Sequence, residues 1–226
     1  MTVLATVWRF AGHPTSHLPR RLGQLYAGLA LYGLSMALMV RSRLGVMPWD
    51  VLHQGLSRQL GWSMGAVTIV VGVVVLLAWI PLRQRPGLGT VSNVVVVGLA
   101  LDAALSVLPS PAGLPLRVSF GIAGVLLNAV ATASYIGVHL GPGPRDGLMT
   151  GFVRRTGRSV RLVRCAIELA VVAVGFLLGG TVGAITVLYA LAIGPLVHLF
   201  LPRLSVPSTA PREPARPRPG DSEVLG

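Results

Sequence analysis

The chain has 226 residues, 53% of them hydrophobic and 12% charged, with a mean hydropathy of +0.72. A soluble domain carries about 25% charged residues, so this composition excludes a water-soluble globule and implies a chain built for the bilayer. The net charge of +12 comes from 19 basic residues, all arginine, but they stand in loops and tails between apolar runs, with no basic helix interleaved with stacking aromatics. A nucleic-acid partner is therefore not expected.

In chain order, residues 1–21 form a short N-terminal segment holding Arg9 and Pro14 and no uninterrupted apolar core, so no cleavable signal peptide is predicted. The runs 22–40, 64–82, 86–108 and 118–138 carry no charge or a single one, and each is long enough, at 1.5 Å per residue, to cross about 30 Å of hydrocarbon. The run 165–201 is twice that length and is broken by Gly179-Gly180-Thr181-Val182-Gly183, which divides it into two spans. The predicted fold is all-α, a polytopic membrane protein of six spans. Membrane units cover 22–108 and 118–204, a loop covers 109–117, and the proline- and arginine-rich stretch 205–226 reads as a disordered cytoplasmic tail. Cys165 is the single cysteine, which excludes an intramolecular disulfide, and it reads as a small buried hydrophobe.

Displacing the chain against itself by 96 residues aligns 26–105 with 122–201 without a gap and gives 21 identities over 80 positions. Chance in so apolar a chain gives roughly seven or eight, so the two units read as a duplication. The matches include residues that hydrophobicity does not select. Gly45, Pro48, Asp50, Gly55, Arg58 and Ser63 recur as Gly141, Pro144, Asp146, Gly151, Arg154 and Ser159, and Gly87, Thr90 and Gly98 recur as Gly183, Thr186 and Gly194. Each unit reads as a long span, a polar Gly/Pro turn, a short helix and two more spans. Pro48 and Pro144 suit a first helical turn, where a missing N–H costs nothing, and Asp50 and Asp146 can cap that turn. The short helices, over 51–60 and 147–156, are too short and too polar to face lipid across the membrane, and are read as re-entrant or interfacial.

Three spans per unit bring the second unit in from the opposite side, the pattern of inverted repeats in secondary transporters. With both termini cytoplasmic, fifteen arginines fall on the inner side and four (Arg41, Arg43, Arg58, Arg117) on the outer. Full crossing by the short helices would instead give eight spans, parallel repeats and a ratio of fourteen to five, so polarity rather than charge favours six.

The paired Pro-x-Asp turns are the leading site candidates: as structure they cap helices at a bend, and as function they aim two helix N-termini at the midplane, flanked by Trp49, His53 and Arg145. Glu168 lies four residues into its apolar run, with Arg164 four residues earlier on the same helical face, either as a fixed ion pair or as a solute or proton group. Asp102 stands inside a span opposite His198 of the other repeat; it is a functional candidate or a residue that reaches the interface. Asn93 and Asn128 read mainly as interhelical hydrogen-bonding residues. No nucleophile elbow, zinc motif, Walker loop or convincing metal set is present, so neither an enzyme nor a cofactor is expected.

Together, Leu44-Gly45-Val46-Met47-Pro48-Trp49-Asp50, Gln84-Arg85-Pro86-Gly87-Leu88-Gly89-Thr90, Gly143-Pro144-Arg145-Asp146-Gly147-Leu148-Met149 and Ile167-Glu168 followed by the 179–183 glycine stretch resemble the YczE branch of the YczE/YyaS/YitT membrane proteins over about residues 22–204. The resemblance implies a bacterial inner-membrane protein and no particular activity. One departure is Ile185, where the first repeat has Gly89, which argues against close backbone approach there. The expected partners are the lipid bilayer, an unidentified small solute, and a second copy or another membrane protein. The leading expectation is a small-solute permease with a midplane site formed by the two Pro-x-Asp turns and Glu168. The alternative is a non-transporting accessory or regulatory subunit.

Overall fold

The computed structural model describes residues 18–206; the N-terminal segment before them and the tail after them, with its expected disorder, lie outside the described residues. Among the described residues all regular structure is helical: α1 (Leu18–Ser42), α2 (Pro48–Leu60), α3 (Met64–Trp79), α4 (Leu88–Val107), α5 (Leu114–Ile136), α6 (Pro144–Thr156), α7 (Val160–Leu177) and α8 (Ala184–Leu204). The helix starts pair as Leu18 with Leu114, Pro48 with Pro144, Met64 with Val160 and Leu88 with Ala184. The 96-residue offset of the sequence alignment therefore holds at every start. The short helices begin three residues earlier than predicted because the prolines themselves occupy the first turn.

Four helices, α1, α4, α5 and α8, are long and apolar enough to cross a membrane, and α2 with α3, bent by 115° at their junction, would make a fifth broken span. Helix α3 has 16 residues, about 24 Å of rise. Helix α7 carries Arg161, Arg164 and Glu168 in its first half. Cys165 is exposed rather than buried, because α7 presents most of its surface outward.

Helices α1 and α5 form the central pair. Gly28 lies against Ser134 and Tyr135, Gly124 against Ser35 and Met39, and Gly121 near Ser42, so the two helices run antiparallel. Small residues at the crossing let the backbones approach closely, the usual means of helix association where apolar burial offers little advantage over lipid. Asn128 donates to Ser35 Oγ at 2.8 Å and accepts from the Tyr189 hydroxyl at 3.0 Å, tying α5 to α1 and α8 as an interhelical polar residue should.

The turns before α2 and α6 are each clasped by the start of a long helix from the other half. Gly89 N–H donates to Leu140 O at 2.8 Å, and Ile185 N–H donates to Leu44 O at 3.0 Å. Thr90 Oγ accepts from Gly87 N–H at 3.2 Å and donates to Pro142 O at 2.7 Å, while Thr186 Oγ accepts from Gly183 N–H at 3.2 Å. Gly45 and Gly141, at φ +113° and +124°, fit these clasps for two reasons. Their backbone is in a region side chains avoid, and an added Cβ would meet Thr186 Oγ at 2.6 Å or Thr90 Oγ at 2.7 Å. Ile185 makes the close approach without a second glycine, since its contact uses only the backbone N–H. Gly55 lies against Gly175 of α7, and Gly151 against Leu82.

Candidate functional site

The N-terminal turns of α2 and α6 meet. Arg145, on α6, lies over the Trp49 ring of α2 at 5.1 Å, and its Nη2 is 3.7 Å from Asp50 Oδ1. Trp79 holds α6 in place: its Nε1 donates to Pro144 O at 3.0 Å and its ring packs on Gly147, where no side chain would fit. Between the halves lies a cavity of about 280 Å³ reached by residues of all eight helices. Its apolar walls include Val71, Val75, Val94, Ile167, Ile193 and Val197. Its polar lining includes Trp49, His53, Asn93, Arg145, Asp146, Arg164 and Glu168, so seven of the nine predicted site residues share one space.

Asp50 sits behind these groups with no exposed surface. Its Oδ1 is 3.2 Å from His53 Nδ1, and its Oδ2 has no hydrogen-bond partner. His53 Nδ1 is also 3.2 Å from Thr68 Oγ, whose own proton goes to Met64 O at 2.8 Å. That arrangement places the His53 proton on Nδ1, between two acceptors, and leaves Nε2 free to accept. Asp146 accepts from the Tyr135 hydroxyl at 3.4 Å, and Arg164 Nε donates to Glu168 at 2.9 Å.

Asp102 stands apart. It accepts from Ser63 Oγ at 2.5 Å and from Gly65 N–H at 2.7 Å, binding the end of α4 to the start of α3. Along that interface Gly65 meets the backbone of Gly98, and an added Cβ at Gly72 would lie 2.9 Å from Val94. The corresponding residues of the second half are Arg161, Gly194, Glu168, Ala190 and, for Asp102, His198. There α7 and α8 stand apart: a Cβ at Gly194 would meet nothing within 4 Å, and α7 buries only Val163 and Gly175. Exposed Arg164 and His198 line the cavity on this side and mark its mouth.

Three of the four tyrosines also line the cavity, and the sequence reading passed over them. Tyr32 and Tyr135 meet edge to face at 6.1 Å, and the Tyr32 hydroxyl points to Met47 Sδ at 3.7 Å. Their scarcity and their place within apolar runs are the signal that was available, because a tyrosine hydroxyl in such a run needs a partner. Among the described residues no three His, Cys, Asp or Glu side chains gather as a metal site requires.

The profile of the family of unknown function DUF6198 matches residues 19–202. An uncharacterized protein of Haemophilus influenzae is 42% identical over 177 residues, which is 78% of this chain and 81% of that protein. The uncharacterized membrane protein YczE of Bacillus subtilis is 29% identical over 79% of this chain and 84% of its own length. The uncharacterized protein YyaS of the same organism is 27% identical over 77% and 89%. No solved structure is similar to the chain.

Proposed function

Because the chain belongs to the DUF6198 and YczE/YyaS family of membrane proteins, kinship supplies a setting in the bilayer and no chemistry, and we propose from the cavity itself that it is a small-solute permease. The observation that carries this reading is the meeting of the two Pro-x-Asp turns, one from each half, across a single polar space with apolar walls. Structural caps alone would not need to face each other. Ligand sites of secondary transporters form where short helix ends converge between repeats.

In this reading α1, α3, α4, α5, α7 and α8 are six spans and α2 and α6 are half-crossing helices. The antiparallel α1 and α5 and the matched helix starts support two inverted repeats. The protein sits in the inner membrane with both termini cytoplasmic, in line with the arginine bias. It acts as a carrier rather than an enzyme. The tight α3–α4 seam closes one side of the cavity, the parted α7–α8 pair opens the other, and exchange of the two arrangements moves the solute.

The test is flux into liposomes holding the purified protein, screened over solute classes. Saturable flux of one class, lost in Arg145→Gln and Asp146→Asn, is the expected result. No flux of any class, with Asp50, Asp146 and Glu168 all neutralised without effect in cells, would remove the reading.

A further inference from the structure

Among the described residues that line the cavity, Arg145 is the guanidinium with no oxygen within hydrogen-bond length, its nearest being Asp50 Oδ1 at 3.7 Å. Its guanidinium carries five N–H donors. They face Met47 Sδ at 3.7 Å, a weak acceptor, and Asp50 Oδ1 at 3.7 Å, beyond hydrogen-bond length. The other acids are served: Asp146 by the Tyr135 hydroxyl and the Gly143 N–H, Glu168 by Arg164. Arg145 is held over Trp49 with a quarter of its side chain exposed. Its planar fork is suited to paired oxygens.

Asp50 is the complement of this deficit. It has no exposed surface, its Oδ2 has no partner, and among the described residues its only cation within 4 Å besides the imidazole is Arg145. The neighbouring groups are His53 on its own helix, Thr68 from α3, Tyr32 from α1, Tyr189 from α8, Asp146 next to Arg145 on α6 and, across the cavity, the Arg164–Glu168 pair. None of these is a second free cation. The two guanidiniums of the site, Arg145 and Arg164, already face three carboxylates, Asp50, Asp146 and Glu168, so an anion that engages Arg145 adds a negative charge for which no cation is left, and an uncompensated charge there is costly.

We infer that the site takes an organic oxyanion, a carboxylate, sulfonate or phosphate on a small apolar body, together with one proton that is held by Asp50. The anion's oxygens accept from Arg145 while its body lies against the valine and isoleucine walls. The proton comes from the water at the cavity mouth, passes through His53, which lines the cavity and touches Asp50, and rests on the carboxylate. Only N–H and O–H bonds change, and the pair of anion and proton is neutral. Release of the anion returns Arg145 to Asp50 and expels the proton. This inference rests on the permease reading and names its solute class and coupling ion.

Calorimetric titration of the purified full chain with benzoate, in two buffers of different ionisation enthalpy, tests it. Benzoate should bind with uptake of about one proton and weaken about tenfold per pH unit as pH rises, while benzylamine and benzyl alcohol should not bind. Arg145→Gln should weaken benzoate by at least about tenfold. Asp50→Asn should bind benzoate without proton uptake and without pH dependence. The proton count on the unaltered chain decides the matter even if that variant fails to fold. Benzylamine binding as well as benzoate, benzoate binding with no proton, or no binding of benzoate, phenylphosphate and benzenesulfonate at millimolar concentration would each overturn the inference. Flux of a solute of another class would leave the permease standing without this chemistry. Proton-linked benzoate binding with no flux in liposomes would do the reverse.

Discussion

The two seams that flank the cavity, α3 with α4 and α7 with α8, occupy matching places in the two halves and are built from opposite materials. The first has glycines at the crossing and an aspartate that ties one helix end to the other's first turn. At the matching positions the second has Arg161 where the first has Gly65, Glu168 where it has Gly72, and His198 where it has Asp102, and there the helices part. Two halves whose helix starts share one offset can thus keep one scaffold, the α1–α5 pair with its two clasps, and use a few side chains to set each half apart. Position in the fold does not decide whether a seam closes; the residues lining it do.

The matched glycines Gly98 and Gly194 probe this difference most strongly. Gly98→Ala would force a methyl against Ile69 and the Gly65 carbonyl and should cost about 1–3 kcal/mol of stability. Gly194→Ala has open space and should be neutral or stabilise by up to about 1 kcal/mol, through helix propensity. Unfolding of the two variants in detergent measures both, and equal effects would erase the distinction. Asp102→Ala removes two hydrogen bonds at the start of α3 and should cost about 1–2 kcal/mol, whereas His198→Ala should stay within about 0.5 kcal/mol. Tyr189→Phe should cost about 1 kcal/mol because Asn128 loses a donor, which would place the anchor of α8 on α5 rather than on α7. The smallest change is expected from Arg164→Gln, under about 0.5 kcal/mol, since the Arg164–Glu168 pair is half exposed and its stability contribution is correspondingly screened.

Much of this architecture was legible in the sequence. Apolar run lengths and Gly/Pro punctuation located every long helix, and the 96-residue offset foretold the pairing of their starts. The Pro-x-Asp turns and Glu168 pointed to one space because membrane-embedded polar groups need each other. What escaped depends on which face of a helix a residue occupies. Asp102 and Glu168 look alike as isolated acids in apolar runs, yet one caps a helix and the other lines the cavity. Tyr32, Tyr135 and Tyr189 were invisible for the same reason. Ile185 was misjudged because a backbone contact does not depend on the side chain beside it.

The account turns on one seam being closed and the other open but able to close, which disulfide trapping measures directly. With Cys165→Ser as background, the pairs Ser63→Cys/Asp102→Cys and Ser159→Cys/His198→Cys place cysteines at matching positions of the two seams. The first pair should oxidise rapidly in native membranes. The second should form slowly, and once formed should stop solute movement until reduced. Equal rates for the two pairs, or a second pair that never forms, would contradict the account.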